Sequence, residues 1–196
     1  MKKIVSGIVL ILFCSAYSQR IAFTPVWRLM LTSNAIVSGK VLSHDTTCIV
    51  VEVEQELLAT NYFNLRPAKK IKINHSNNAK LTIKSSRILD GSRAIFYLNT
   101  ITNSENFNNS DRFSASVPIG LNNKIQFNDG IDNQNYATIN QYLAAINFVR
   151  KVYSIDTTGM VYSSLSKKKI QQRYKMNALT RSIFDEIEQE RSQYSN

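Results

Sequence analysis

Histidine, cysteine and proline are scarce in this chain of 196 residues, which has two His, two Cys and three Pro. So few ligating side chains exclude a cysteine–histidine metal cage and a disulfide scaffold. The motifs G-x-x-x-x-G-K-[ST], G-x-G-x-x-G, H-E-x-x-H and G-x-S-x-G, which mark nucleotide sites, zinc peptidases and serine hydrolases, are also missing. We therefore predict a protein that is not an enzyme and that needs no cofactor or metal.

Carboxylates are also outnumbered, because 24 Lys and Arg face 14 Asp and Glu, which gives a net charge of +10. A hydrophobic fraction of 43% supplies enough apolar side chains for a packed core, so the chain is not disordered throughout. The length predicts one domain with at most an appendage. The basic surplus then lies on the surface, where it either keeps the protein soluble or attracts anionic partners.

One long apolar run is present, and it lies at the N-terminus. Lys2-Lys3 precede Ile4–Phe13, a run too short to cross a bilayer of about 30 Å as a helix. Ala16-Tyr17-Ser18 places small residues where signal peptidases require them, just before Gln19. We predict a signal peptide over residues 1–18 and an exported chain, periplasmic or secreted, with no transmembrane span after cleavage.

A lipoprotein signal with an acylated Cys14 is the alternative interpretation of the same segment. The bulky Phe13 fits poorly in front of such a cysteine, so soluble export is favoured. Cleavage leaves Cys48 as the one remaining cysteine, which rules out an internal disulfide. Its apolar surroundings in the sequence predict a buried side chain.

Polar and apolar residues alternate through the first two thirds of the chain, as in half-buried antiparallel strands. A short helix over Pro25–Ser33 precedes them, with proline in its first turn. Gly39 marks a bulge or bend in the first strand. About five strands and one further strand are predicted, at Ala35–Ser43, Cys48–Leu58, Lys70–Asn74, Lys80–Lys84, Arg93–Ile101 and Phe113–Ile119.

Helical periodicity begins only at Ile139, where Thr138 and Gln141 have the spacing of a capping box. A last helix is predicted from about Lys167 to Arg191. This order predicts a mainly β fold with helices (α+β): a five-stranded OB-like barrel over residues 19–134, with a short N-terminal helix and a helical C-terminal extension over residues 135–196. A β-sandwich needs about seven strands, more than the patterns indicate.

Four segments resemble the netrin-like, or tissue-inhibitor-of-metalloproteinases-like, OB domains of bacterial exported proteins. Ser33–Val41 resembles their opening "ADVVFVGKV", Val51–Leu58 their "FEVEEVLKG" and Asp90–Leu98 their "VGKRYLLFL". The segment Pro25–Ser33 fits their short leading helix. The resemblance covers about residues 25–102 and implies an OB-type fold and a binding module.

The inhibitory mechanism of the animal members of that family does not carry over. Those inhibitors place an N-terminal cysteine on the zinc of the protease, whereas cleavage here exposes Gln19 with no cysteine near it. We predict an exported, non-enzymatic binding or interaction protein of the bacterial envelope. The alternatives are a peptidase inhibitor that acts through barrel loops and a nucleic-acid-binding OB module, and export argues against the second.

The last predicted helix supplies the candidate interaction surface. Its basic half has three interpretations: a solvated face, a contact with an anionic envelope component or an acidic protein, or a nucleic-acid contact. Its apolar stripe either docks on a partner, including a second copy as a homodimer, or packs on its own barrel; acidic residues at 185–190 would match the basic half of an antiparallel copy. The candidate residues are Lys167, Lys168, Lys169, Arg173, Lys175, Met176, Leu179, Ile183 and Ile187.

Two short segments resemble the Asp-Thr-Thr acceptor sequence of a bacterial O-glycosylation system. They are Asp45-Thr46-Thr47 and Asp156-Thr157-Thr158, and both fall in predicted turns. The resemblance makes Thr46 and Thr157 candidate modification sites.

Overall fold

The computed structural model describes residues 24–45, 48–59, 65–74, 89–100, 106–109, 116–128 and 134–194. The signal peptide predicted for residues 1–18, the strand predicted at Lys80–Lys84 and the candidate site Thr46 lie outside the described residues. The helices are α1 (Val26–Thr32), α2 (Ile139–Val152), α3 (Lys167–Arg173) and α4 (Ala178–Gln193). The strands are β1 (Ala35–His44), β2 (Cys48–Ala59), β3 (Lys70–Asn74), β4 (Arg93–Thr100), β5 (Asn106–Asn109), β6 (Ser116–Ile119), β7 (Lys124–Asn128), β8 (Gln134–Thr138), β9 (Ser154–Ile155) and β10 (Val161–Tyr162).

The α+β class is confirmed, but the prediction of a closed barrel of five strands is wrong. Strands β1 to β8 belong to one mostly antiparallel sheet, and β9 and β10 form a separate hairpin. The sheet as a whole is open rather than closed, since within the described residues β8 pairs with β7 alone. The predicted domain boundary, between residues 134 and 135, falls at the start of β8.

Strand β4 connects the two parts of the sheet. One edge of β4 pairs with β1, while its other edge is shared: Arg93–Phe96 pairs with β6, and Leu98–Thr100 pairs with β5. Strand β5 runs parallel to β3, which pairs with β2, which returns to β1. Strand pairing therefore runs in a circuit through β1, β2, β3, β5 and β4, and β6, β7 and β8 extend from it.

Gly39 lies at the irregularity that the sequence predicts in β1. The register between β1 and β2 shifts between Ser38 and Gly39. A Cβ at position 39 would lie 2.5 Å from Cγ1 of Val51 and 2.7 Å from the backbone oxygen of Glu52. Only glycine allows β2 to approach β1 this closely at the bulge.

The sheet carries a hydrophobic core on each face of β1 and β4. Val37 and Phe96 belong to the hydrophobic core on one face of the sheet, which we call the strand core. Ile36, Ile95 and Tyr97 belong to the core on the opposite face, which we call the helix-side core because the helices pack there. Burial on both faces explains why β4 is an almost uninterrupted apolar run in the sequence. The strand core consists of Ala35, Val37, Val41, Ile49, Val51, Val53, Leu65, Ile71, Ile73, Ala94, Phe96, Leu98 and Phe107.

The helices cover the second face, where they build the helix-side core with strands β1, β4, β6, β7 and β8. The capping box predicted at the start of α2 is confirmed, because the Thr138 hydroxyl accepts from the backbone of Gln141 and the Gln141 side chain accepts from the backbone of Thr138. The prediction of one helix from Lys167 to Arg191 is wrong. Residues 174–177 separate α3 from α4, and the Asn177 side chain caps α4 by accepting from Thr180 N.

Arg150 of α2 holds the C-terminal end of α1. Its Nη1 donates to the backbone oxygens of Met30 at 3.0 Å, Leu31 at 3.4 Å and Ser33 at 3.1 Å. These carbonyls have no partner inside the short helix, so the guanidinium satisfies them. Burial lowers the pKa of Arg150, which nevertheless stays charged at neutral pH.

We expect Gly39→Val to lower the free energy of unfolding by about 3 kcal/mol, because a larger side chain must displace Val51 or the β2 backbone. Urea denaturation of the purified chain measures this change. Gly120→Ala is the control, since a Cβ there meets Asn122 Oδ1 at 3.3 Å on an exposed turn. Equal losses for the two variants would contradict the close approach of β1 and β2.

Arg150→Ala is expected to cost about 2 kcal/mol of unfolding free energy, because the carbonyls at the end of α1 lose a charged donor. Lys151→Ala, one residue later and exposed, is the control and should change stability by less than about 0.5 kcal/mol. The same urea experiment compares them. If both variants are as stable as the parent chain, Arg150 does not support α1.

Candidate interaction surface

The structure separates the two halves of the predicted interaction site. Lys167–Lys169, Arg173 and Lys175 are exposed on α3 and on the segment after it. In contrast, Ile183 and Ile187 of α4 are buried in the helix-side core, and the partly buried Met176 and Leu179 pack against that core. The apolar stripe therefore packs on its own chain, as in the second of the two interpretations, and the docking interpretation is wrong for Ile183 and Ile187.

Helix α3 owes its position to one buried side chain and one cap. Ile170 is fully buried in the helix-side core, and the Ser166 hydroxyl accepts from Lys169 N at 3.4 Å. Three lysines, Lys167–Lys169, lie in the first turn of α3. Positive side chains at the positive end of the helix dipole are unfavourable. Tertiary packing of Ile170 must therefore compensate for the cost of this placement.

Tyr174, the residue after α3, joins the basic side chains of two helices. Its ring meets Phe148 edge-on, with ring centroids 5.5 Å apart. Lys151 Nζ lies 6.0 Å and Arg173 Cζ 5.9 Å from the centre of the Tyr174 ring, within reach of cation–π attraction. Lys151 was not among the residues predicted from the sequence, although it lies on the polar side of the α2 periodicity. We call Lys151, Lys167, Lys168, Lys169, Arg173 and Lys175 the basic surface.

Within the described part of the chain, no carboxylate pairs with the basic surface. No ion pair between described residues involves any of its six side chains. The sequence contains no Asp or Glu between Asp156 and Asp185. In the sheet, by contrast, Glu52 lies opposite Lys40 on one side and Lys70 on the other. The helical basic residues thus form a concentrated positive patch, whereas these strand lysines alternate with acidic neighbours.

The acidic residues of α4 are partly engaged within the chain. Glu188 Oε1 accepts a hydrogen bond of 2.9 Å from the Tyr153 hydroxyl and forms an ion pair with Arg191. Glu190 pairs with Arg28 of α1 at 2.5 Å. Two of the four acidic residues at 185–190 are therefore paired within the chain, which weakens the charge match that suggested an antiparallel homodimer. The homodimer stays a prediction without that support.

Two tyrosines form a buried hydrogen bond in the helix-side core. The hydroxyls of Tyr97 from β4 and Tyr142 from α2 bond to each other, and both side chains are fully buried. Burial is the largest cause that raises the pKa of each, and for Tyr97 the neighbouring Tyr142 adds to it. Burial likewise raises the pKa of Tyr153. These phenols therefore stay neutral at physiological pH.

Cysteine and histidine do not build a reactive site among the described residues. Cys48 is buried, as predicted, and its Sγ lies 3.5 Å from Asp45 Oδ2. His44 Nδ1 lies 2.8 Å from Asp90 Oδ1 at an exposed turn. The described part of the chain has no group of three or more metal-ligating His, Cys, Asp or Glu. None of its helices has the length and apolar character needed to cross a bilayer.

The candidate modification site Thr157 lies at an exposed turn between β9 and β10. Asp156 Oδ1 accepts from the backbone of Thr158 at 2.8 Å, from its hydroxyl at 2.6 Å and from Met160 N at 3.0 Å. The hydrogen bond from the Thr158 hydroxyl is the largest of the causes that lower the pKa of Asp156. The carboxylate thus shapes the turn, and modification of Thr157 stays a prediction.

Comparison with protein-family models, with curated proteins and with solved structures finds no match.

We expect stability to fall as the pH rises above about 10, since the unfolded chain ionises its tyrosines there while Tyr97 and Tyr142 stay neutral in the fold. Below that pH their contribution is fully present. The expected loss is about 1.4 kcal/mol per pH unit for each tyrosine. Urea denaturation between about pH 8 and pH 11 measures the slope. A double Tyr97→Phe, Tyr142→Phe variant with an equally steep slope would refute this assignment.

Proposed function

We propose that this chain is an exported, non-enzymatic binding protein of the bacterial envelope that attaches to an anionic envelope component through the basic surface. The observation that carries the proposal is that these six cations form no ion pair with any described residue. A folded chain gains little from concentrating like charges on a short helix. An external anionic partner would neutralise these six positive charges, which accounts for their concentration on one surface.

We also propose that strands β1, β2, β3, β5 and β4 correspond to the five strands of the netrin-like OB domain that this sequence resembles. The support for this proposal is the strand order, the bulge at Gly39 and the strand core on one face of these strands. In this assignment β6 to β8 and the helices are additions to those five strands. They place α3 and the basic surface on the side of the molecule built by the helix-side core.

The chemistry of the basic surface fits phosphate groups spread over a surface better than a single small anion. Five of its six members are flexible, exposed side chains on or near α3, and four of those are lysines, which act as point charges. Each cation near an anionic lipid surface contributes about 1 kcal/mol. Six such contributions are enough for binding that depends on salt concentration.

A vesicle sedimentation assay tests the proposal with the mature chain from Gln19 onward. The probes are phosphatidylcholine vesicles with and without about 30% phosphatidylglycerol, at ionic strengths of about 0.02 M and 0.3 M. We expect binding only to the anionic vesicles and only at the lower salt. Lys167→Gln, Lys168→Gln and Lys169→Gln combined should weaken it at least tenfold, as about 3 kcal/mol of attraction is removed.

The matched control removes the same number of charges elsewhere. Lys40→Gln, Lys70→Gln and Lys72→Gln neutralise three exposed lysines of β1 and β3. This variant should keep most of the binding, because its lysines lie outside the basic surface. Equal weakening by both triple variants would show that net charge alone matters, and absence of binding to both vesicle types would reject an anionic surface as the partner.

A further inference from the structure

A polar groove lies between the start of α1 and the end of α4, away from any residue of the basic surface. It is a shallow groove open to solvent, with a volume of about 410 Å³. Arg28 lines it from α1, and Glu186, Gln189, Glu190 and Gln193 line it from α4 at the spacing of one helix face. Tyr194 also lines the groove.

The base of the groove is held by one rigid ion pair. Arg28 Nη2 donates to Glu190 Oε1 at 2.5 Å, and Nη1 donates to the backbone oxygen of Gly159 at 3.0 Å. The guanidinium also lies 5.1 Å from the centre of the Trp27 ring. Three partners therefore hold Arg28 in place. The exposed fraction of the side chain is 30% for Arg28 and 23% for Glu190. A ligand meets donors and an acceptor whose positions are already set.

The rim offers hydrogen-bonding groups and an aromatic face. The side-chain amides of Gln189 and Gln193 lie one helical turn apart, are exposed and form no side-chain hydrogen bond with described residues. Each amide supplies both a donor and an acceptor. Tyr194 follows at the end of α4, and 59% of its surface is exposed.

We propose that this groove binds a neutral saccharide of about two sugar units. Sugar hydroxyls both donate and accept, which matches the paired Arg28 and Glu190 and the two glutamine amides. The apolar C–H face of a pyranose ring packs on an exposed aromatic ring, a role that Tyr194 can fill. Arg28 and Glu190 neutralise each other, so this pair gives a phosphorylated or acidic sugar no net attraction. This ligand class is distinct from the anionic partner of the basic surface.

Nuclear magnetic resonance of the ¹⁵N-labelled mature chain tests the proposal with cellobiose, maltose and the disaccharide of N-acetylglucosamine, each up to about 20 mM. We expect at least one of them to bind with a dissociation constant of about 1 mM. Its binding should change the chemical shifts of the backbone amides of residues 186–194. The indole of Trp27, the one tryptophan of the chain, should respond through Arg28. Tyr194→Ala, and separately Gln189→Ala with Gln193→Ala, should weaken binding at least fivefold.

The controls change the same residue types at exposed positions outside the groove: Tyr162→Ala on β10, and Gln171→Ala with Gln172→Ala on α3. Both should leave the affinity unchanged. Three results would overturn the proposal: no shifts with any of the three disaccharides, a dissociation constant that Tyr194→Ala leaves unchanged, or tighter binding of glucose 6-phosphate at the same residues. None of these readouts involves the lysines of α3, so the outcome is independent of vesicle binding.

Discussion

Strand β4 is buried on both of its faces, and the rest of the molecule is assembled around it. Phe96 and Leu98 enter the strand core, while Ile95 and Tyr97 enter the helix-side core. Its two edges pair with β1, β5 and β6. Both hydrophobic cores and both parts of the sheet therefore depend on one segment of eight residues. Burial on two faces is consistent with the absence of a charged side chain in this segment after Arg93, whose guanidinium pairs with Glu54.

The two candidate sites lie on the helical layer rather than on the strand circuit. Helix α3 is anchored by Ile170 and presents its lysines outward, and the groove lies between α1 and α4. Side chains at these positions contribute little to either core. Substitutions at these exposed positions are therefore expected to leave the chain folded.

Alternating or strongly periodic segments could be predicted from the sequence. The first four strands described by the structure, the bulge at Gly39 and the capping box at Thr138 all have a local signal. Strand β5 had none, because its polar sequence Asn106–Asn109 reads as a loop and its pairing with β3 and β4 is a tertiary effect. The break at residues 174–177 was missed because the apolar spacing continues across it. The basic surplus of the composition already predicted that the lysines of α3 lie on the surface. The groove could not be predicted, because it brings together residues about 160 positions apart and no local pattern connects them.

The ion pair between Arg28 and Glu190 has a consequence for the order of assembly. A polypeptide leaves the ribosome or a membrane channel from its N-terminal side, so Arg28 emerges long before Glu190. Until α4 follows, Trp27 and its neighbours on α1 lack part of the apolar surroundings that cover them in the finished fold. Completion of the helical layer is therefore a late event. A chain that ends before residue 183 would leave part of the helix-side core exposed to solvent, and such an apolar surface promotes aggregation.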